Sequence, residues 1–204
     1  MQIIPPNRIR RIRIWIPSNN AAELTEFKTL KQSISLLDFA SNDYLGLSTH
    51  PNLINAAKEI MSSEGVGAGA SRLVTGSRPI HKELEESLGD WLGRERVLLF
   101  PSGFQANLAA VITLADRNTR IFADKFIHHS LLLGVKASGA KLTRYAHNDL
   151  SDLEKKLNLY RNKEPNRKTL VITESLFSME GTSPALEKLA KLCEHFDTQL
   201  IVDE

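Results

Sequence analysis

Apolar positions recur along this chain with two periods, and the switch between them outlines the fold. From Pro79 to Leu92, the residues Ile80, Leu84, Leu88, Trp91 and Leu92 fall on one stripe at helical spacing, and Gly93 is a suitable stop. Beyond that point short apolar runs replace the stripe, at Val97–Phe100, Arg120–Ala123, Leu142–Tyr145, Thr169–Thr173 and Gln199–Val202. Runs of this length between polar stretches read as buried strands. Helical patterns fill the gaps near 104–114, 130–137, 150–159 and 184–196, with Asp149 and Ser183 as N-caps. Strand and helix in alternation predict an α/β domain with a parallel or mostly parallel sheet.

Upstream the pattern is weaker. Residues 1–37 read as an arm containing a strand or short helix, and 38–46 as a turn-rich stretch with two apolar anchors. Proline at the first helical position is favoured, so a helix is expected to follow Pro51. The segment Gly65–Ser71 reads as a flexible loop and Arg161–Lys168 as a charged surface loop, and there is no internal repeat.

Composition narrows the function classes. The 204 residues allow one sizeable core. The 26 basic and 24 acidic residues leave a net charge of +2, which gives no reason to expect nucleic acid or an acidic surface as partner. No apolar run approaches the roughly 20 residues that span a membrane. The single cysteine, Cys193, has no internal disulfide partner and fits a reducing, cytoplasmic setting. It shares a predicted helix face with Leu186, Leu189 and Ala190, so core packing accounts for it better than catalysis does. The first 22 residues carry Arg8, Arg10, Arg11 and Arg13 and no acid. A solvated basic arm fits them better than a transit peptide, which is usually richer in serine.

Several strand ends are followed by residues suited to a small charged ring. Pro101-Ser-Gly-Phe-Gln-Ala-Asn107 opens a helix after Val97–Phe100, where backbone N–H groups and the helix dipole favour a phosphate. Gly103 would let that backbone approach closely, although glycine also serves such turns for geometry alone. His128-His129 follows Arg120–Ala123, where an imidazole could stack on an aromatic cofactor or simply cap a helix. Thr173-Glu-Ser-Leu-Phe-Ser-Met-Glu-Gly181 offers the Ser178 hydroxyl, or only a turn, with Glu174 as an acceptor or as an orienting group. Asp203 ends the last strand, and ligands of open α/β sheets bind outside the carboxyl ends of the strands. A carboxylate there could hold a pyridine nitrogen protonated and make the ring an electron sink, or could merely leave the core. Neither histidine has metal-ligand spacing, so no metal is expected. Gly65–Ser71 follows a helix instead of a strand, which argues against dinucleotide binding.

Taken together, the chain resembles the α-oxoamine synthase family of pyridoxal-phosphate enzymes from about Leu37 to Glu204. The motifs that carry the resemblance stand in order: Ser-Asn-Asp-Tyr-Leu-Gly-Leu (41–47), Gly-Ala-Gly-Ala-Ser-Arg-Leu-Val-Thr-Gly (67–76), His-Lys-Glu-Leu-Glu (81–85), Ser-Gly-Phe-Gln-Ala-Asn (102–107), His-His-Ser-Leu-Leu (128–132), His-Asn-Asp (147–149), Thr-Glu-Ser-Leu-Phe-Ser-Met-Glu-Gly (173–181) and Val-Asp-Glu (202–204). The resemblance implies the three-layer α/β/α large domain of a fold-type I pyridoxal-phosphate enzyme. It also implies roles for single residues. Gly103 and Phe104 would contact the cofactor phosphate through their backbone. His128 would stack on the pyridine ring and border the substrate. Ser178 would hydrogen-bond near the phenolic oxygen, and Asp203 would pair with the pyridine nitrogen. Asn42 would lie near the amino-acid substrate, and Arg13, which precedes Pro17 with the family's spacing, would contact substrate.

The implied activity is an acyltransferase of biotin biosynthesis, condensing L-alanine with a pimeloyl thioester with loss of CO2, in a homodimer whose apolar arm residues Ile12, Ile14, Trp15 and Ile16 pack on the other subunit. A glycine C-acetyltransferase and a non-catalytic fragment are the alternatives. The family continues past the position of Asp203 with a histidine, a threonine and the Schiff-base lysine. Lys125 and Lys136 do not occupy that lysine's place. The chain is therefore expected to be an arm (1–37) and a partial large domain (38–204), inactive alone, with the catalytic lysine and the small domain beyond Glu204.

Overall fold

In a computed structural model, residues 12–17, 23–29 and 32–204 are described. Arg8, Arg10 and Arg11 of the basic arm lie outside them. The chain divides into two compact units, Met1–Arg78 and Pro79–Glu204.

The first unit opens with an antiparallel sheet of β1 (Trp15–Pro17), β2 (Glu23–Thr29) and β3 (Gln32–Leu37), in that order. Trp15 pairs with Glu26 and Glu23 with Leu37. Asp43 then organises the turn before the first helix: its carboxylate accepts the N–H of Leu47 at 2.7 Å and the hydroxyl of Ser48 at 2.6 Å. Helix α1 (Pro51–Glu64) starts at the expected proline, with the His50 ring accepting from the N–H of Asn52. In the glycine-rich loop that follows, Gly76 cannot be replaced without movement, because a Cβ there would sit 1.9 Å from the carbonyl oxygen of Ala70.

The second unit begins with α2 (Pro79–Leu92) and α3 (Gly103–Leu114). It then alternates: β4 (Arg120–Asp124), α4 (His129–Ser138), β5 (Lys141–Tyr145), α5 (Leu150–Arg161), β6 (Thr169–Glu174), α6 (Leu186–His195) and β7 (Gln199–Asp203). The sheet is parallel in the order β5-β4-β6-β7. Because side chains alternate across a strand, neighbouring residues feed opposite cores. Ile121, Ala123, Leu170 and Ile172 pack with Val111, Leu131 and Val135 of α3 and α4. Phe122 and Val171 face the other way, onto Leu153, Leu157, Leu189 and Cys193 of α5 and α6. The result is the α/β/α layering that the resemblance implies, on the parallel sheet that the alternation predicts. Where α3 and α4 meet, Gly134 lies so close that a Cβ would stand 2.8 Å from the Cβ of Val111.

Four of the five expected strands form within a residue of their predicted ends. Val97–Phe100 does not. Strand formation requires a neighbour, and among the described residues no strand pairs with this segment. The N–H of Leu99 instead donates to Glu85 Oε1 at 3.0 Å, and Leu98 is 67% exposed. Asp149 caps α5 as predicted, accepting from the N–H of Asp152. Ser183 caps nothing: α6 begins only after Ala185, and the N–H of Leu186 bonds to the carbonyl of Pro184. Cys193 is in the core with Leu189, and burial pushes its thiol up to about 11, while Ala190 is exposed. The α2 stripe is helical, but Trp91 is 80% exposed, and Gly89 is the helix's one buried residue.

Arg161, predicted on a surface loop, is instead half-buried and fastens the amino-terminal edge of this sheet. Its guanidinium donates to the carbonyls of Phe196, Pro165, Arg167 and Asp197 and to the hydroxyl of Thr169. Replacement by alanine strands several of these acceptors. Arg161→Ala is expected to lower unfolding free energy by about 2–3 kcal/mol, and Arg161→Lys to recover only part of it, because one ammonium cannot reach so many oxygens. Urea denaturation measures both.

Candidate functional site

Parallel strands end at one edge, and here that edge is acidic. Asp124, Glu174 and Asp203 are the last residues of β4, β6 and β7, and Glu174 pairs directly with Asp203 in the ladder. Asp124 is fully buried and Glu174 nearly so. The chain supplies donors to each.

Asp203 is met from α3. The Asn107 side-chain amide donates to Asp203 Oδ2 at 2.7 Å and to the hydroxyl oxygen of the buried Ser130 at 3.1 Å. That hydroxyl lies 2.7 Å from His128 Nδ1. An unbroken chain of hydrogen bonds therefore joins His128 to Asp203 through Ser130 and Asn107. The remaining Asp203 oxygen, Oδ1, has no donor among the described residues, and the carbonyl of Asp203 accepts from the N–H of Ser175 at 2.8 Å. His128 is the N-cap of α4, its ring exposed and its N–H donating to Glu174 Oε1 at 2.5 Å. Burial pushes the Glu174 carboxyl above its ordinary 4.5; the His128 N–H opposes this and the charge of Asp203 adds to it.

At the α3 end, Ser102 is the N-cap. Its hydroxyl accepts from the N–H of Gln105, and its carbonyl from that of Ala106. The first two N–H groups, of Gly103 and Phe104, are left without an acceptor among the described residues. A Cβ on Gly103 would meet nothing within 4 Å, so the backbone there is open on that side. Two free amides at a helix N-terminus suit a phosphate.

Of the predicted residues, His128 and Asp203 are thus tied into one cluster, and Gly103 and Phe104 sit on the first turn of the helix that carries Asn107. Ser178 is exposed on the loop after β6, with no hydrogen bond to the cluster. Asn42 and Arg13 belong to the first unit, and both are exposed. Glu174 is the structural acceptor that its position suggested. Sequence reasoning gave no role to Asn107 or Ser130. Asn107 could have been found as a polar residue one turn after Gly103 in a mostly apolar helix. Among the described residues no cluster of three potential metal ligands exists, and no helix is long and apolar enough to cross a membrane. The site is an open sheet edge: cavities of about 510 Å³, bordered by Lys82, Glu86 and Arg94, and about 380 Å³, bordered by Arg120 and Lys163, lie away from it.

A sheet whose strand ends gather a carboxylate, a capping histidine and free helix amides defines a class. The chain belongs to the aminotransferase class I and II family, whose profile matches residues 34–204, and the family uses pyridoxal phosphate. Among individual proteins, it is 45% identical over 173 residues to 8-amino-7-oxononanoate synthase of Photobacterium profundum, covering 85% of this chain and 44% of that one. It also superposes on a serine palmitoyltransferase from S. paucimobilis solved with a bound PLP–myriocin aldimine, with a TM-score of 0.86 and 25% identity over 95% of this chain and 46% of that one. The 8-amino-7-oxononanoate synthase of Francisella tularensis gives 0.67 and 37%, over 82% and 44% of the two chains. The chain spans less than half the length of these relatives.

The raised Glu174 carboxyl has a consequence for stability. A folded chain that binds this proton more tightly than the unfolded chain gains stability below 4.5 and loses it as pH rises through the higher folded value. Glu174→Gln removes that dependence and keeps an oxygen for the His128 N–H. In urea unfolding across a pH series without added ligand, the variant is expected to gain on the native chain as pH rises above 4.5 and then level off. A constant difference would refute this.

Proposed function

We propose that this chain carries the cofactor-holding strand ends of a pyridoxal-phosphate-dependent acyltransferase that condenses L-alanine with a pimeloyl thioester, releasing CO2 and forming 8-amino-7-oxononanoate, a step of biotin biosynthesis. The observation that carries the reading is Asp203, held at one oxygen by Asn107 and left with the other free at the carboxyl end of the sheet.

The setting of Gly103, Phe104, His128 and Asp203 supports this reading, and the tasks of Ser178, Asn42 and Arg13 rest on the resemblance. The free Gly103 and Phe104 amides receive the phosphate, and the helix dipole favours its charge. His128, fixed by Ser130 and Glu174, presents its ring face to the pyridine. Asp203 Oδ1 accepts the pyridine N–H and keeps the proton there. Ser178 donates toward the phenolic oxygen, and Asn42 and Arg13 bind substrate. Bound pyridoxal phosphate supplies an electron sink for charge that develops at the amino-acid α-carbon. The arm (1–37) joins two subunits into a homodimer, residues 38–204 belong to the large domain, and the enzyme works in the cytoplasm.

Substrate choice follows side chains more than backbone, since one fold hosts many activities. The higher identities belong to the 8-amino-7-oxononanoate synthases, at 45% and 37%, against 25% for the serine palmitoyltransferase. The test uses the full-length protein with L-alanine and pimeloyl thioester, against glycine with an acetyl thioester and L-serine with a palmitoyl thioester. Preference for the first pair supports the reading, and preference for either other pair overturns it. Asp203→Asn is expected to retain pyridoxal phosphate, seen by its visible absorbance, and to lose about 10²-fold or more in kcat, the scale of one removed electrostatic group at a reacting centre.

A further inference from the structure

A second polar cluster at the same sheet edge has no part in the reading above. Asp124 is fully buried, and its carboxylate accepts from the N–H groups of Phe126 at 2.9 Å and Asn148 at 2.8 Å, and lies 2.9 Å from His147 Nδ1. A carboxylate only accepts, so Nδ1 carries a proton, and the Asn148 side-chain amide lies 3.3 Å from Nε2. Nε2 faces the Thr182 hydroxyl at 2.7 Å. The imidazole is also wedged between rings, 4.8 Å from Phe126 and 4.5 Å from Phe177, edge-on to the latter. Its position and tilt are thus set.

What His147 grips is the loop that carries Ser178. Phe177 and Thr182 close that loop through a backbone bridge, the N–H of Phe177 donating to the carbonyl of Thr182 at 2.9 Å. Gly181 turns it at φ 65°. Between the two closing residues everything is exposed, Met179 at 84%, while Phe177 is buried. Beside the Phe177 ring, the Thr182 side chain ties the closed end to His147. Asp124, His147 and Thr182 come from β4, the segment after β5 and the loop after β6, so the line crosses three strand ends.

We infer that His147 is a positioning residue: held by Asp124, it locks the 177–182 loop through Thr182 and so fixes where the Ser178 hydroxyl meets the cofactor. The cofactor clause rests on the proposed function; the lock itself does not.

The test uses the full-length protein. His147→Phe removes the ring's hydrogen bonds to Asp124, Thr182 and Asn148 and keeps a ring; because it strands a buried carboxylate and can fail to fold, Thr182→Val is the decisive variant and Thr182→Ser its control. Hydrogen exchange at the 178–181 amides is expected to rise about three- to tenfold in Thr182→Val, the factor one neutral hydrogen bond confers, and to stay native in Thr182→Ser, with β4 and α3 unchanged. In a pyridoxal-phosphate titration, Thr182→Val should weaken binding by a similar factor, and Ser178→Ala should abolish that difference. Unchanged exchange in Thr182→Val overturns the lock. Losses from Thr182→Val and Ser178→Ala that multiply independently overturn the link to Ser178. If the native protein binds no pyridoxal phosphate, the functional reading falls and the cofactor clause with it, and the exchange arm still decides whether His147 holds the loop.

Discussion

Parallel pairing of β6 with β7 puts Glu174 directly opposite Asp203, and the chemistry of this edge follows from that register. Opposed residues of paired strands share a face, so two carboxyl groups leave the sheet side by side. Burial, and after it the charge of Asp203, raise the proton affinity of Glu174. The neighbouring elements answer the two carboxyl groups differently. Glu174, buried, receives a backbone N–H from the start of α4; Asp203, more open, receives a neutral amide from α3. The buried partner thereby holds a proton more readily than an ordinary glutamate, and Asp203 keeps one oxygen unclaimed among the described residues.

That arrangement requires α3 and α4 to lie close together. Asn107 must reach Ser130 on one helix and Asp203 on the sheet at once. The missing side chain at Gly134, against Val111, permits the approach. A larger residue there would part the helices and stretch a link between residues 96 positions apart. Packing and chemistry meet at this helix pair, since Val111 also belongs to the core beneath.

Strands β4, β6 and β7 were legible because each is an apolar run that no other environment would accept. Val97–Phe100 carries the same signal and stays unpaired: apolar composition records that a segment can be a strand, and pairing decides whether it is one. Local rules located the Asp149 cap but failed at Ser183, where Pro184 and Ala185 delay the helix and leave the hydroxyl too early. Asp203 and His128 could be picked out as strand-end and cap residues. Their linkage could not, because Asn107 and Ser130 acquire meaning only when distant segments meet. The same holds for His147, whose partners sit 23 positions before and 35 after it.

Backbone likeness and sequence likeness rank the relatives in opposite orders: the serine palmitoyltransferase superposes better at 25% identity than the Francisella synthase does at 37%. The two measures respond to different constraints. Apolar cores tolerate extensive substitution while volume and pattern persist, so a backbone can be kept where the sequence has drifted. Discrimination must then come from positions that the sheet does not dictate. In this chain the loop from Leu176 to Gly181 is such a segment, with Leu176 and Met179 58% and 84% exposed. A loop that presents side chains while standing on a fixed ring needs a rigid base and a free tip. The 177–182 loop has both, with Phe177 and Thr182 held at its base and an exposed tip between them.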